Sequence, residues 1–263
     1  RWPWCTSPSD SGSGWTPELA MKVKNVGSVR VSPDGKKVVY TIDQAMMGPD
    51  KSEFVSQIWT ANTDGSDPLQ LTFAEKSSSN PQWSPDGRMI AFTSSRSGKN
   101  NLYVLRLVGG EAEQLTDVKS TVSAFAWSPD GRRLAFLMRD AQTDDEEKGA
   151  KAKDDSRWID ENVKMNRLYV MDLQPGANGK REPRKLTGDY NVDPDLDWSP
   201  DGQSIAFMRG LRTPDVITQL CLVPAAGGEA RVLWEIGPDG CEVRALRDVD
   251  VLNADVEAVD VEL

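Results

Sequence analysis

Hydrolysis or acyl transfer at neutral pH needs a nucleophile beside a group that can take its proton, and histidine is the commonest such base. The 263 residues of this chain include no histidine. A Ser-His-Asp triad, a Cys-His dyad and a His-ligated zinc site are therefore excluded within it. The nearest approach to a chemical pair is the Ser and Asp of Ser-Pro-Asp-Gly, which recurs at 32–35, 84–87, 128–131 and 199–202. No base accompanies these serines. No G-x-S-x-G elbow occurs either, and Gly12-Ser13-Gly14 does not supply one. Pro presets φ, Asp bonds locally and Gly accepts a positive φ, so each copy reads as a hairpin tip.

Other groupings carry no more chemistry. Asp193, Asp195 and Asp197 alternate along an expected strand and would share one of its faces. Three carboxylates could attract Ca²⁺, yet oxygen sites also draw on a tight loop, carbonyls and waters. They read as solvated residues near a channel. Cys5, Cys221 and Cys241 are odd in number and lack C-x-x-C spacing, which suggests neither a disulfide framework nor a redox motif. Cys221 reads as a small buried apolar residue. Gly109-Gly110 and Gly227-Gly228 fall in hairpin turns, not ahead of helices, so they form no phosphate loop. No catalytic, cofactor-binding or metal-binding residue is assigned.

The elements around the tips form a repeat. After 84–87 come Ile90-Ala91-Phe92, a polar turn at 96–100, Leu102-Tyr103-Val104-Leu105, the turn Gly109-Gly110 and Gln114-Leu115-Thr116. These are four short strands. Thr72, Thr116 and Thr187 each lie twelve residues before the next Ser of the repeat, and Trp59, Tyr103 and Cys221 each lie six before a Gly. Tandem four-stranded units of this length specify an all-β β-propeller. Four blades are expected, at about 16–72, 73–116, 117–187 and 188–234, as part of a larger propeller, after a flexible segment 1–15 and before an undetermined acidic segment 235–263. Trp83, Trp127 and Trp198, just before the tips, should pack between sheets.

Two departures from the repeat stand out. Blade one has an extra loop at 43–54, and blade three carries about 22 additional residues, a mixed-charge insert at 140–164 expected to project into solvent. In blade four, Trp234 stands where the other blades close on Thr.

Trp before Ser-Pro-Asp-Gly, followed by Ile-Ala-Phe, Leu-Tyr-Val and Gln-Leu-Thr, resembles the blade of the TolB propeller and of the N-terminal propeller of prolyl oligopeptidase family serine peptidases, which include acylaminoacyl and dipeptidyl peptidases. The resemblance spans about residues 16–234. Thr16-Pro17-Glu18-Leu19 reads as a short helix. With Trp15 before it and the first blade after it, it resembles the lead-in of bacterial acylaminoacyl-type peptidases, whereas TolB would place an α/β domain there. The resemblance implies a parent serine peptidase whose α/β-hydrolase domain lies outside this chain, with the propeller gating peptide or acyl-peptide substrates. The alternative is a TolB-like propeller that binds a protein partner and catalyses nothing.

Composition bounds the partners. The net charge is −10, and six of the acids lie within 248–263, where no Lys or Arg occurs. An acidic chain without a basic stripe is not expected to bind nucleic acid. No run approaches the ~18 apolar residues of a membrane span.

Overall fold

In the computed structural model, residues 19, 22–47, 52–143, 146, 148, 163–211 and 217–236 are described. They form four sheets, each a sequential antiparallel meander of four strands. The first holds β1 (Asn25–Val31), β2 (Lys37–Met47), β3 (Ser52–Asn62) and β4 (Leu69–Gln70). The second holds β5 (Ser78–Trp83), β6 (Met89–Ser94), β7 (Asn101–Arg106) and β8 (Glu113–Gln114). The third holds β9 (Val122–Trp127), β10 (Arg133–Arg139), β11 (Asn166–Asp172) and β12 (Arg184–Lys185). The fourth holds β13 (Asn191–Trp198), β14 (Ser204–Leu211), β15 (Ile217–Pro224) and β16 (Arg231–Ile236). This is the expected all-β propeller architecture. Of the lead-in helix expected at 16–21 only Leu19 lies among the described residues.

The blades stack through the period-two alternation of their second strands. Ile90 and Phe92 face blade one, where they meet Val39 and Ile58. Ala91, between them, faces blade three and packs near Val122, Phe125 and Trp127. The pattern repeats one blade later: Leu134 and Phe136 face backward, while Ala135 and Leu137 face forward onto Ile205 and Phe207. Ala91 and Ala135 thus meet large residues across the second and third interfaces, and Val39 takes the equivalent place at the first, which brings the sheets into close packing.

The tryptophans fix the inner strands. Trp83, Trp127 and Trp198 are buried, and each ring nitrogen donates to the backbone of the preceding blade's first strand: to Arg30 O at 3.1 Å, Gln82 O at 3.4 Å and Ala126 O at 3.2 Å. A buried indole N–H must find an acceptor, so each such bond sets the rotation of one blade on the next. Among the described residues, the end blades lack this cover on one side. Val38 and Tyr40, which occupy the positions of Ile90 and Phe92, are only half-buried, and Val26 and Val31 beside them are exposed. At the other end Ala206 is half-buried, whereas Ala91 and Ala135 are fully buried, and Leu220 and Trp234 are exposed. Among the described residues, four blades form part of a propeller.

The extra loop expected at 43–54 is not a loop. β2 and β3 continue to Met47 and from Ser52 as a paired ribbon, in register from Lys37↔Asn62 to Met47↔Ser52.

Candidate functional site

The propeller has two unlike ends. At the tip end lie the four Ser-Pro-Asp-Gly turns, and all four have the same bonds. In blade two, Ser84 Oγ donates to Asp86 Oδ1 at 2.6 Å and accepts from Met89 N at 2.9 Å, while Arg88 N donates to Asp86 Oδ1 at 3.1 Å. Blades one, three and four repeat this with Ser32 and Asp34, Ser128 and Asp130, and Ser199 and Asp201. The glycines adopt positive φ, +68° at Gly87, which a side chain would oppose. The serine bonds hold all four aspartates below the usual carboxylate range. Each hydroxyl donates to its turn's carboxylate, and in blades three and four also to a carbonyl of the following strand, so these serines serve the turns.

At the opposite, loop end the chain passes from β2 to β3 and from β4 to β5, and likewise in each later blade. Here the closing threonines act. Leu102 N donates to Thr116 Oγ1 at 2.9 Å, and that hydroxyl donates to Asn101 Oδ1 at 2.8 Å. Blade one repeats the motif with Ile58, Thr72 and Gln57. In blade three, Leu168 N donates to Thr187 Oγ1 at 3.0 Å, but Arg167 takes the place of Asn101. Blade four dispenses with the threonine, because β16 continues the ladder through Trp234, which pairs with Leu220.

Arg167 anchors the insert of blade three. Its Nε and Nη2 donate to the Asp140 carboxylate at 3.0–3.1 Å, and its Nη1 donates to Gly188 O and Tyr190 O. Burial raises the Asp140 pKa, but the bonds from Arg167 and Met165 N outweigh it and leave the carboxyl below its ordinary value; Asp140 in turn raises Arg167. The two ends of the insert meet directly, with Asp140 N donating to Met165 O at 2.8 Å. Within the insert, Thr143 and Glu146 bond reciprocally through side chain and backbone, a capping box, and Lys164 pairs with Glu146 at 2.7 Å. Asp140, counted with the insert in the sequence, therefore belongs to the blade. Residues 144–145, 147 and 149–162 lie outside the described residues.

The alternation expected for Asp193, Asp195 and Asp197 does not hold. Pairing jumps from Val192↔Arg209 to Leu196↔Phe207, so Asp193, Pro194 and Asp195 all lie opposite Met208 alone. Pro194 has no N–H to give the ladder, and a bulge results. The bulge interrupts the regular alternation that would line the three carboxylates on one face, and no group of acids, Cys or His among the described residues is arranged to hold a metal. Blades one and two bulge at the same place, with Ser28 and Asn80 at positive φ. Cys221 is buried, and burial pushes its thiol pKa up, against the pull of Arg209. That makes it an inert core group. Cys5, Cys241 and Gly12-Ser13-Gly14 lie outside the described residues.

The sequence reading missed the polar groups of the loop end. Arg209 lies over Tyr190 at 4.4 Å from the ring centroid and donates to Gln219, which donates to Glu235. Arg96 lies over Tyr103 and Phe92. Alignment of the repeat would have singled out Arg167 against Gln57, Asn101 and Gln219. Nothing local in the sequence marks Arg96.

Comparison with known proteins agrees with this architecture. Residues 53–175 match the Tricorn protease N-terminal beta propeller domain. The chain is 36% identical over 91 residues to the peptidase YuxL of Bacillus subtilis (strain 168), and 35% identical over 94 residues to dipeptidyl-peptidase 5 of Porphyromonas gingivalis. These segments are 34% and 36% of this chain but only 14% of each relative. The acylaminoacyl peptidase of Pyrococcus horikoshii superposes with a TM-score of 0.60 at 19% identity, over 84% of this chain and 34% of that one. The likeness to this last structure is one of fold.

Proposed function

We propose that this propeller, related to the N-terminal regions of prolyl oligopeptidase family peptidases, is the non-catalytic gate of a serine peptidase, limiting which peptides reach an α/β-hydrolase domain outside this chain. One observation carries the reading. The segments shared with peptidases are a small part of those proteins, and the chain itself has neither a histidine nor a G-x-S-x-G elbow. The described blades supply a scaffold in which the repeated serines are spent on turns, which supports a reading that puts the chemistry elsewhere in the parent. A ring of blades over a hydrolase site would pass short or extended chains and exclude folded ones, and by excluding water it would strengthen the electrostatics of the site.

The full-length parent tests this. It should hydrolyse acylated-amino-acid or dipeptide chromogenic substrates and spare a folded protein carrying the same sequence in a surface loop. Equal rates on the two would remove the gate. A parent that hydrolyses neither would favour the TolB-like reading, a propeller that binds a protein partner.

A further inference from the structure

We propose that Arg96, at the loop end of blade two, is a receptor for a peptide carboxylate. The inference rests on the gating reading and gives it a substrate chemistry. Arg96 follows β6 in the turn to β7, and its guanidinium is fixed on three sides. It lies 4.8 Å from the Tyr103 ring centroid and 5.5 Å from that of Phe92, two rings stacked on each other. Its Nε donates to Ser94 Oγ and its Nη2 to Ser78 Oγ, both at 3.2 Å.

The hydroxyls are themselves oriented. Ser78 Oγ donates to Ser94 Oγ at 3.2 Å, and Ser94 Oγ donates to Ser77 O at 3.0 Å. Both protons are thereby directed away, leaving oxygen lone pairs for the guanidinium. Ser78 and Ser94 are almost wholly buried, whereas Arg96 is exposed. A guanidinium has five N–H donors in a planar fork. One edge, Nε with Nη2, is spent on the serines. The other, Nη1 with the second N–H of Nη2, has no partner among the described residues.

No carboxylate lies within ion-pairing distance of Arg96 among the described residues. Other arginines contrast with it. Arg167 is paired with Asp140, Arg106 and Arg181 are paired with Glu113, and Arg133 gives its Nη2 to Gly202 O over Trp198. In a chain with 41 acidic residues against 31 basic ones, a guanidinium held rigid with a free bidentate edge is matched to an incoming carboxylate. The rotamer entropy that usually weakens exposed arginine pairs is already spent on the rings and hydroxyls. The carboxylate is either the C-terminus of a peptide or an Asp or Glu side chain within one.

Calorimetric titration of the 263-residue chain with three acetylated alanine peptides decides the matter. The first has a free C-terminus, the second a C-terminal amide, and the third an amide with one internal Glu. The free acid, the Glu peptide or both should bind at least about tenfold more tightly than the plain amide, as a charge-assisted bond requires, and whichever arm binds identifies the source. R96Q should abolish the difference. R96K, which keeps the charge but loses the fork, should retain only part of it. Equal binding of all three peptides by the unsubstituted chain, or no binding of any, would overturn the proposal without recourse to a variant. So would an acid preference that survives R96Q in a variant with an unchanged unfolding midpoint. These outcomes are independent of catalysis: an inert parent would remove the gate yet leave carboxylate binding in place, and an active parent with a chain indifferent to carboxylates would do the reverse.

Discussion

The tip end and the loop end of the propeller are built from the same strands but obey different rules. At the tip end four turns share one bonding pattern, each Gly has positive φ, and the tryptophans beside them repeat one interblade bond. At the loop end blades one to three share the bond to a closing threonine but differ in what they carry beyond it. Blade one extends a ribbon, blade two presents Arg96, blade three inserts a charged segment on an Asp140–Arg167 root, and blade four replaces a threonine by a longer strand. Uniformity at one end holds the blades in register. That leaves the other end free to vary, as loops on a rigid scaffold do where binding is located.

The largest loss should follow removal of a group from the uniform tip end. Trp127→Ala should cost about 3–5 kcal/mol by opening a cavity at the blade two–three interface and leaving Gln82 O without its donor. Urea unfolding monitored by far-UV circular dichroism would measure it, and a midpoint like that of the unsubstituted chain would contradict the blade register.

The insert divides the loop end into a structural root and a dispensable remainder. Arg167→Ala leaves the Asp140 carboxylate with Met165 N as its remaining donor and takes the Arg167 donor from two carbonyls, and should cost about 2–3 kcal/mol, below the value for a fully buried pair because Asp140 is partly exposed. Deletion of residues 141–162 with a short Gly-containing join, keeping Asp140, should cost less than about 1 kcal/mol, since blade two closes the same hairpin without an insert. Equal losses from the two changes would show that the insert itself supports the blade.

Thr116→Val tests a smaller part of the same end. The shape is nearly kept, but Leu102 N loses its acceptor and Asn101 Oδ1 keeps only Val118 N as a donor, for a cost of about 1–2 kcal/mol. The same substitution at Thr187 should be milder on the side-chain partner, because Arg167 there is bonded elsewhere.

The smallest effect expected is that of pH on the tips. Asp34, Asp86, Asp130 and Asp201 are lowered from 3.8 in the fold, mainly by the Ser hydroxyls. Their contribution is therefore complete above the unfolded value and is lost as pH falls through the lowered folded values. Unfolding midpoints measured from about pH 5 to about pH 2 should fall, and Ser84→Ala should flatten that dependence. Being exposed, the tips should each contribute modestly.

What could be read from the sequence follows from which interactions are local. Ser-Pro-Asp-Gly encodes its own turn, and Trp83, Trp127 and Trp198 mark the interfaces because a repeat places equivalent residues in equivalent surroundings. The second strands were legible for the same reason. The Asp193–Asp197 alternation failed because a bulge changes register without changing the hydrophobic pattern, although Pro194 signalled it. The ribbon of blade one gives little strand signal, because apolar residues such as Met46 and Phe54 are exposed and show no core-facing period. Arg96 was invisible because its role depends on Ser78 and Ser94, which only the pairing of β5 with β6 brings together.

We propose that this propeller performs no acyl transfer itself and serves a parent that does. The direct measurement is labelling by a fluorophosphonate serine-hydrolase probe, with the purified 263-residue chain and the full-length parent compared side by side. The parent should label and the chain should not, because a Ser without a base or an oxyanion site in fixed geometry does not react. Stoichiometric labelling of the chain alone would show that it holds a catalytic serine of its own.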